Sequence, residues 1–265
     1  MALLAAVYFL ICAGCASFQR KFIYFPPVFD AATADKMGAS AHLERWKSES
    51  GASLGWKRLS PVQPAAGCVL VVHGNAGSAV ECGHYADAIQ KAAPLDIFIV
   101  EFPGYADRPG KPTENSLEAA ASEALVQLTN RATVYVLGES LGTGVAAYLA
   151  GAFPGRVSGL VLIAPYSSLT DVAQFHMPLL PVPLILVDRF PADKFLRNYH
   201  GPVAMLVGGA DQVVPMKFGR RLFDGYNGQK RLWEFPKDDH GDLMVKAPEL
   251  WSEIIRFWQT NAPAH

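Results

Sequence analysis

Apolar positions along this chain follow two rhythms. Short strand-like runs fall at 68–72, 96–102, 133–137, 158–164, 203–207 and 230–235, the last mixing apolar with charged residues. The first of these, Cys68-Val-Leu-Val-Val72, is unbroken, as a strand buried on both faces requires. Between and after the runs, apolar residues recur at helical spacing. Leu117, Ala121, Ala124, Leu125 and Leu128 mark a helix over 114–130. An Ala-rich stretch predicts another over 141–153. Leu250, Trp251, Ile254, Ile255 and Trp258 predict a closing helix over 248–259. Strands that alternate with helices imply an α/β fold, with a mostly parallel central sheet covered on both faces. Ahead of this pattern, 42–47 and 52–59 read as two strands joined by a Ser-Gly turn.

Two segments break the rhythm. Residues 177–187 are apolar but carry three prolines, so they form neither one uninterrupted helix nor a central strand. They predict an insertion of short helices, about 166–200, lying over the active face. An ordinary crossover of unusual length is the other reading. The second segment is 2–19, which has no charged side chain and is rich in Ala, Leu and aromatics. It reads as a signal or membrane-anchor segment ahead of one domain over 20–265.

The end of that segment, Ile11-Cys12-Ala13-Gly14-Cys15-Ala16-Ser17, resembles a bacterial lipoprotein signal. On that resemblance Cys15 is lipidated, becomes the first mature residue, and holds the protein at a periplasm-facing membrane. Two features depart from the pattern: Cys12 stands where leucine is usual, and no Lys or Arg precedes the run. Arg20 and Lys21 follow it instead, which by charge bias favours an uncleaved anchor with its body in the cytoplasm. Both readings associate the chain with a membrane; a plain secreted or soluble form is the third. Of the other cysteines, Cys68 reads as a small buried strand residue; a disulfide to Cys82 is the alternative that an oxidising compartment permits.

Composition adds limits. The 265 residues are 51% hydrophobic and 18% charged, which fits one globular domain with a large core. A net charge of −1 gives no reason to expect a nucleic-acid partner. No Cys/His cluster has zinc-ligand spacing.

The candidate chemistry centres on Gly138-Glu139-Ser140-Leu141-Gly142. A predicted strand precedes it and a predicted helix follows it, the layout of a turn that lifts a serine hydroxyl clear of the backbone. Glycines two places either side of the serine let strand and helix approach closely. The same pattern recurs at Gly51-Ala52-Ser53-Leu54-Gly55. Trp56–Pro61 is too short for a helix before proline, so Ser53 reads as a hairpin residue.

A serine nucleophile needs a base, and the base an orienting acid. Asp211 follows the predicted strand 203–207 with Gly208 and Gly209 ahead of it, and His240 lies in the loop between the last strand and the last helix. The order Ser140, Asp211, His240 matches the order this layout uses. Asp238, Asp239 and Asp242 are competing acids, read as loop-solvating or capping residues. His42, His84, His176, His200 and His265 are competing bases in less suitable places. Acyl transfer also needs donors for an oxyanion. The amide of Leu141 is one, and the amide of Asn75, in His73-Gly74-Asn75-Ala76-Gly77, is the other, with Ala76 the next candidate. His73 itself reads as a structural residue of that loop.

Together these marks resemble the α/β-hydrolase superfamily: HGNAG at 73–77, EFPGY at 101–105, GESLG at 138–142, GGADQVVP at 208–215 and HGDL at 240–243. Phe22-Ile-Tyr-Phe-Pro-Pro27 and Asp188-Arg-Phe190 are similar to its small-cap, serine aminopeptidase-like branch. Ala106 departs from the glycine usual after Gly-Tyr. The resemblance implies an α/β-hydrolase fold over about 22–260. It implies a serine hydrolase of carboxylic esters or thioesters that works through an acyl-enzyme on Ser140. No metal or diffusible cofactor is implied. The substrate is a small-molecule or lipid-like acyl compound. A peptidase or amidase of the same fold and a non-catalytic binding protein are the alternatives.

Overall fold

A computed structural model describes residues 1–128, 130, 133–246 and 248–261. The chain begins with helix α1 (Ala2–Ile23) and α2 (Ala31–Ser40), then the hairpin β1 (Glu44–Lys47) and β2 (Ser53–Arg58). The alternating part follows: β3 (Cys68–Val72), α3 (Gly83–Ala92), β4 (Asp96–Val100), α4 (Glu114–Val126), β5 (Val134–Glu139), α5 (Leu141–Ala152) and β6 (Gly159–Ile163). Three short helices come next, α6 (Leu169–His176), α7 (Val182–Ile185) and α8 (Ala192–Phe195). The chain then forms β7 (Val203–Gly208), α9 (Met216–Gly225), β8 (Lys230–Phe235) and α10 (Pro248–Asn261).

The eight strands form one sheet in the order β1-β2-β4-β3-β5-β6-β7-β8. β1, β2 and β4 pair antiparallel, and every other pairing is parallel. All residues of β3, β4, β6 and β7 are buried. That accounts for the apolar sequences of β3, β6 and β7, since helices cover both faces; β4 is apolar after its buried first residue, Asp96. Right-handed crossovers put α3 on one face and α4 and α5 on the other. α3 packs on α10, and α4 on α5. The expected α/β-hydrolase architecture is therefore present.

Chain order reverses at β3. The chain steps from β3 outward to β4, then returns to the other side of β3 as β5. Loops that follow β3 and β5 therefore meet at the carboxyl edge of the sheet, where open α/β sheets form sites. Ser53 opens β2 in the hairpin, well separated in topology from that edge. Several predicted boundaries differ by a few residues. The strand 96–102 ends at Val100, and Glu101 and Phe102 leave the ladder. The helix 114–130 ends at Val126, with residue 129 outside the described ones. α1 continues without a break past residue 19 to Ile23. Helices α2 and α9 were not anticipated. α2 starts where the Asp30 side chain accepts a hydrogen bond from Thr33 N at 2.8 Å, a local cap that fixes its entry.

Candidate active site

Ser140 lies between β5 and α5 with φ 49° and ψ −117°, a left-handed conformation that a non-glycine residue adopts only under constraint. The constraint is visible on both sides. Ser140 N donates to Ile163 O at 2.9 Å, and Ser140 O accepts from Thr143 N at 2.9 Å and Thr143 Oγ1 at 2.6 Å. A side chain at Gly142 would collide with the Val72 and His73 carbonyls, and one at Gly138 would meet Ala146 Cβ at 2.6 Å. The two glycines thus let α5 press against β5 and the loop after β3.

The structure brings Ser140, His240 and Asp211 together. His240 Nε2 lies 3.0 Å from Ser140 Oγ, and Nδ1 lies 2.7 Å from Asp211 Oδ2. Asp211 is buried, and its Oδ1 accepts the amides of Val213 and Val214, each at 2.8 Å. Those two bonds fix the carboxylate, so only Oδ2 faces the imidazole. β7 and β8 are paired neighbours, which is why loops 29 residues apart meet.

The competing acids are engaged elsewhere. Asp238 pairs with Lys246, while Asp239 and Asp242 cap each other's amides at 3.0 and 2.9 Å. Among the competing bases, His84 contacts Glu81 O at 3.1 Å, and His176 contacts Val213 O at 2.9 Å. His42 precedes β1 and His200 precedes β7, while His265 lies outside the described residues.

Leu141 is the first residue of α5, so its N–H has no intrahelical acceptor. The Asn75 N–H donates to no protein acceptor among the described residues. The start of α5 and the loop after β3 thus bring both residues to the cavity at Ser140. The Asn75 side chain has work that sequence reasoning missed. Its Nδ2 donates to Ile23 O at 2.5 Å, and its Oδ1 accepts from Phe25 N at 3.1 Å and Tyr105 OH at 2.8 Å. One side chain thereby ties the end of α1 to the loop after β3.

Beneath that loop lies a buried pair. His73 Nδ1 contacts Gly74 O at 2.7 Å and Nε2 contacts Glu101 Oε1 at 3.0 Å. A carbonyl and a carboxylate are both acceptors, an arrangement that favours the doubly protonated, charged ring. Burial opposes that charge, but the hydrogen bond and charge of Glu101 outweigh it and raise the His73 pKa. Glu101 also accepts the amides of Ala79 at 3.0 Å and Phe102 at 3.1 Å. A signal for Glu101 was present in the sequence: a carboxylate near the end of an otherwise apolar run. A further carboxylate, Glu139, accepts the Tyr85 hydroxyl at 2.7 Å. Burial, followed by the charge of Glu139, holds the Tyr85 phenol well above its usual pKa.

Ser140 opens into a cavity of about 630 Å³. Its walls include Phe22 and Ile23 of α1, Leu169 and Val172 of α6, Ile185 of α7, and Val214. Among the described residues, no group of His, Cys, Asp and Glu side chains has the arrangement of a metal site.

Three comparisons bear on this arrangement. Residues 67–192 match the family model described as alpha/beta hydrolase fold. Uncharacterized protein Rv2307c of Mycobacterium tuberculosis is 32% identical over 97% of this chain and 94% of its own length. Lysophosphatidylserine lipase ABHD12 of Macaca fascicularis is 25% identical over 83% of this chain and 62% of its own. Among solved structures, the Pyrococcus furiosus esterase Pf2001 superposes with a TM-score of 0.67 at 16% identity, covering 89% of this chain and 98% of the esterase. That likeness concerns the fold.

Proposed function

The chain belongs to the α/β-hydrolase superfamily, and from that premise we propose that it is a membrane-associated serine hydrolase of acyl esters or thioesters. The observation that carries the proposal is the hydrogen-bonded series Ser140–His240–Asp211 at the edge of an apolar cavity.

In this reading His240 Nε2 takes the Ser140 proton as Oγ attacks the acyl carbonyl. Asp211 holds the imidazole with Nε2 toward the serine and stabilises the imidazolium that forms. The oxyanion gains the amides of Leu141 and Asn75, an arrangement in which one donor is commonly worth about 2.7–4 kcal/mol. His240 then protonates the leaving alcohol or thiol, and an acyl-enzyme remains on Ser140. Water attacks that ester, with His240 as base, and releases the acid. The apolar walls suit an acyl chain better than a polar substrate. The lipase relative is consistent with that choice, and the distance between the two sequences leaves the headgroup open.

α1 is long and apolar enough to cross a membrane by length and composition. It supports membrane anchoring, either as a retained helix or with the chain held through a lipid on Cys15. The mass of the mature amino terminus separates these: a retained Met1 excludes lipidation of Cys15 as the first residue.

A fluorophosphonate probe tests the chemistry. Wild type is expected to be labelled at Ser140 and Ser140→Ala to be unlabelled, with ester turnover reduced by about 10^5–10^6-fold. Ser53→Ala should label like wild type. Labelling that survives Ser140→Ala would sink the proposal. Oxyester, thioester and amide versions of one acyl group then rank the bond types; preference for the amide would favour the peptidase reading.

A further inference from the structure

The amino-terminal helix does more than lie beside the body. Gln19 grips the end of α7 and the residues just after it: Nε2 donates to Ile185 O at 3.0 Å, and Oε1 accepts Val187 N at 2.7 Å. Arg20 Nε bonds the buried Asp188 at 2.9 Å, and the Tyr24 hydroxyl bonds the same carboxylate at 3.0 Å. Farther out, the Tyr8 hydroxyl donates to Leu179 O at 2.9 Å. At its carboxyl end α1 is held by Asn75, as described above. The helix is therefore fixed to the insertion along its length and to the loop beside Ser140 at its end.

Between those attachments, Cys15, Gln19, Phe22 and Ile23 face the cavity that opens on Ser140. Ile23 marks the Ser140 end, because its carbonyl is bonded to Asn75. Cys15 lies eight residues back along an α-helix, about 12 Å away at the usual rise. The cavity thus runs beside α1 for roughly two helical turns. The rest of α1 exposes large apolar side chains, among them Leu3, Leu4, Phe9 and Leu10. Leu179, Leu184 and Val187 continue that exposed apolar surface across the insertion.

We propose that α1 forms one wall of the acyl pocket and sets the length of chain it accepts, with Cys15 at the far end. The same helix, embedded by its outer face, places the pocket rim at the bilayer surface. The ligand is then the single acyl chain of a membrane-resident ester, which slides in between α1 and the insertion and presents its carbonyl to Ser140. This inference rests on the hydrolase reading and adds to it the length-measuring wall.

The test compares Cys15→Trp with Cys15→Ser in the full chain. Both lack the thiol, so any loss of lipidation is common to them and only bulk differs. Kinetics on butanoyl and dodecanoyl p-nitrophenyl esters in detergent micelles supply the readout. The ratio of kcat/KM for dodecanoyl over butanoyl ester is expected to fall at least about ten-fold in Cys15→Trp against Cys15→Ser, the discrimination a blocked hydrophobic pocket gives. Leu4→Trp, on the outer face, should leave that ratio as in wild type. Equal ratios in the two Cys15 variants would overturn the wall assignment. Fluorophosphonates with ethyl and dodecyl chains repeat the comparison on folded protein alone, because only an assembled site reacts. If the unmodified chain is not labelled at Ser140 by either probe, the hydrolase reading itself fails. If it is labelled and the Cys15 ratios match, only the wall is wrong.

Discussion

Ser140 shares the left-handed region with Ala106, whose φ is also 49°. At Ser140 the conformation exposes a hydroxyl. At Ala106 it serves a turn, where the amide donates to Pro27 O at 2.7 Å and the residue bridges Val28. An L-residue pays about 1–2 kcal/mol there, partly offset by the larger unfolded-state entropy of glycine. Ala106→Gly is therefore expected to stabilise the protein by about 0.5–1 kcal/mol, read as a higher urea midpoint, with ester turnover unchanged. His73 gives a second test at this scale. Its folded pKa lies above the ordinary value, with burial opposing the charge and Glu101 outweighing it. The folded state holds that proton more tightly than the unfolded chain does. The stability it contributes is full below the ordinary histidine value of about 6.5, and is lost as pH rises through the raised folded value. Urea midpoints of wild type and His73→Gln should differ most at acid pH and converge as pH climbs. A gap that stays constant with pH would show that the pair is not charged.

At the scale of elements, α4 carries an unusual carboxyl. Burial, then the charges of Glu114 and Asp188, push Glu118 up to about 8. The neighbours explain why so many acids gather here. Glu114 accepts the amides of Arg189 and Phe190 at 2.6 and 2.9 Å, and so holds the insertion to α4. Asp188 holds the same insertion to α1. From the ordinary carboxyl value of 4.5 up to about 8, the folded state carries a proton that the unfolded state has lost. Raising the pH through that window therefore costs stability. Glu118→Gln is expected to flatten this slope, so wild type should lose ground to the variant in urea midpoints across it. The parallel strands show how much of an element is legible beforehand. Apolar runs foretold β3, β6 and β7, because burial on both faces disfavours polar positions, and β4 is apolar after its buried first residue, Asp96. α9 is amphipathic and still escaped notice, since Met216–Gly225 is short and lies directly behind the conspicuous Asp211 loop. α2 depends on an Asp30 cap more than on any apolar stripe.

For the whole molecule, the proposed membrane association comes from apolar area, not charge. Net charge is −1, and α1 contains only Arg20 and Lys21 as charged groups. Arg20 is already paired with Asp188. Burial of apolar side chains is insensitive to ionic screening, whereas attraction to anionic lipid falls with salt. The full chain should therefore co-sediment with zwitterionic phosphatidylcholine vesicles to the same extent at low and high salt. Release by salt would point to electrostatic attachment and away from an inserted helix.

What the sequence determined by itself was local and ordinal. Strands and helices alternate because their apolar periods differ, and a serine elbow, an acid and a histidine follow one another in workable order. Those features depend on neighbours within a few residues, so a linear reading reaches them. The tertiary structure set the distances: it seats His240 Nε2 3.0 Å from Ser140 Oγ and Asp211 Oδ2 2.7 Å from His240 Nδ1. It also put Glu101 under His73, the Asn75 side chain on Ile23, and Gln19 and Arg20 on the insertion more than 160 residues away. Such contacts arise from strand order and helix docking, in which residues far apart along the chain become neighbours. No spacing rule along the chain encodes them.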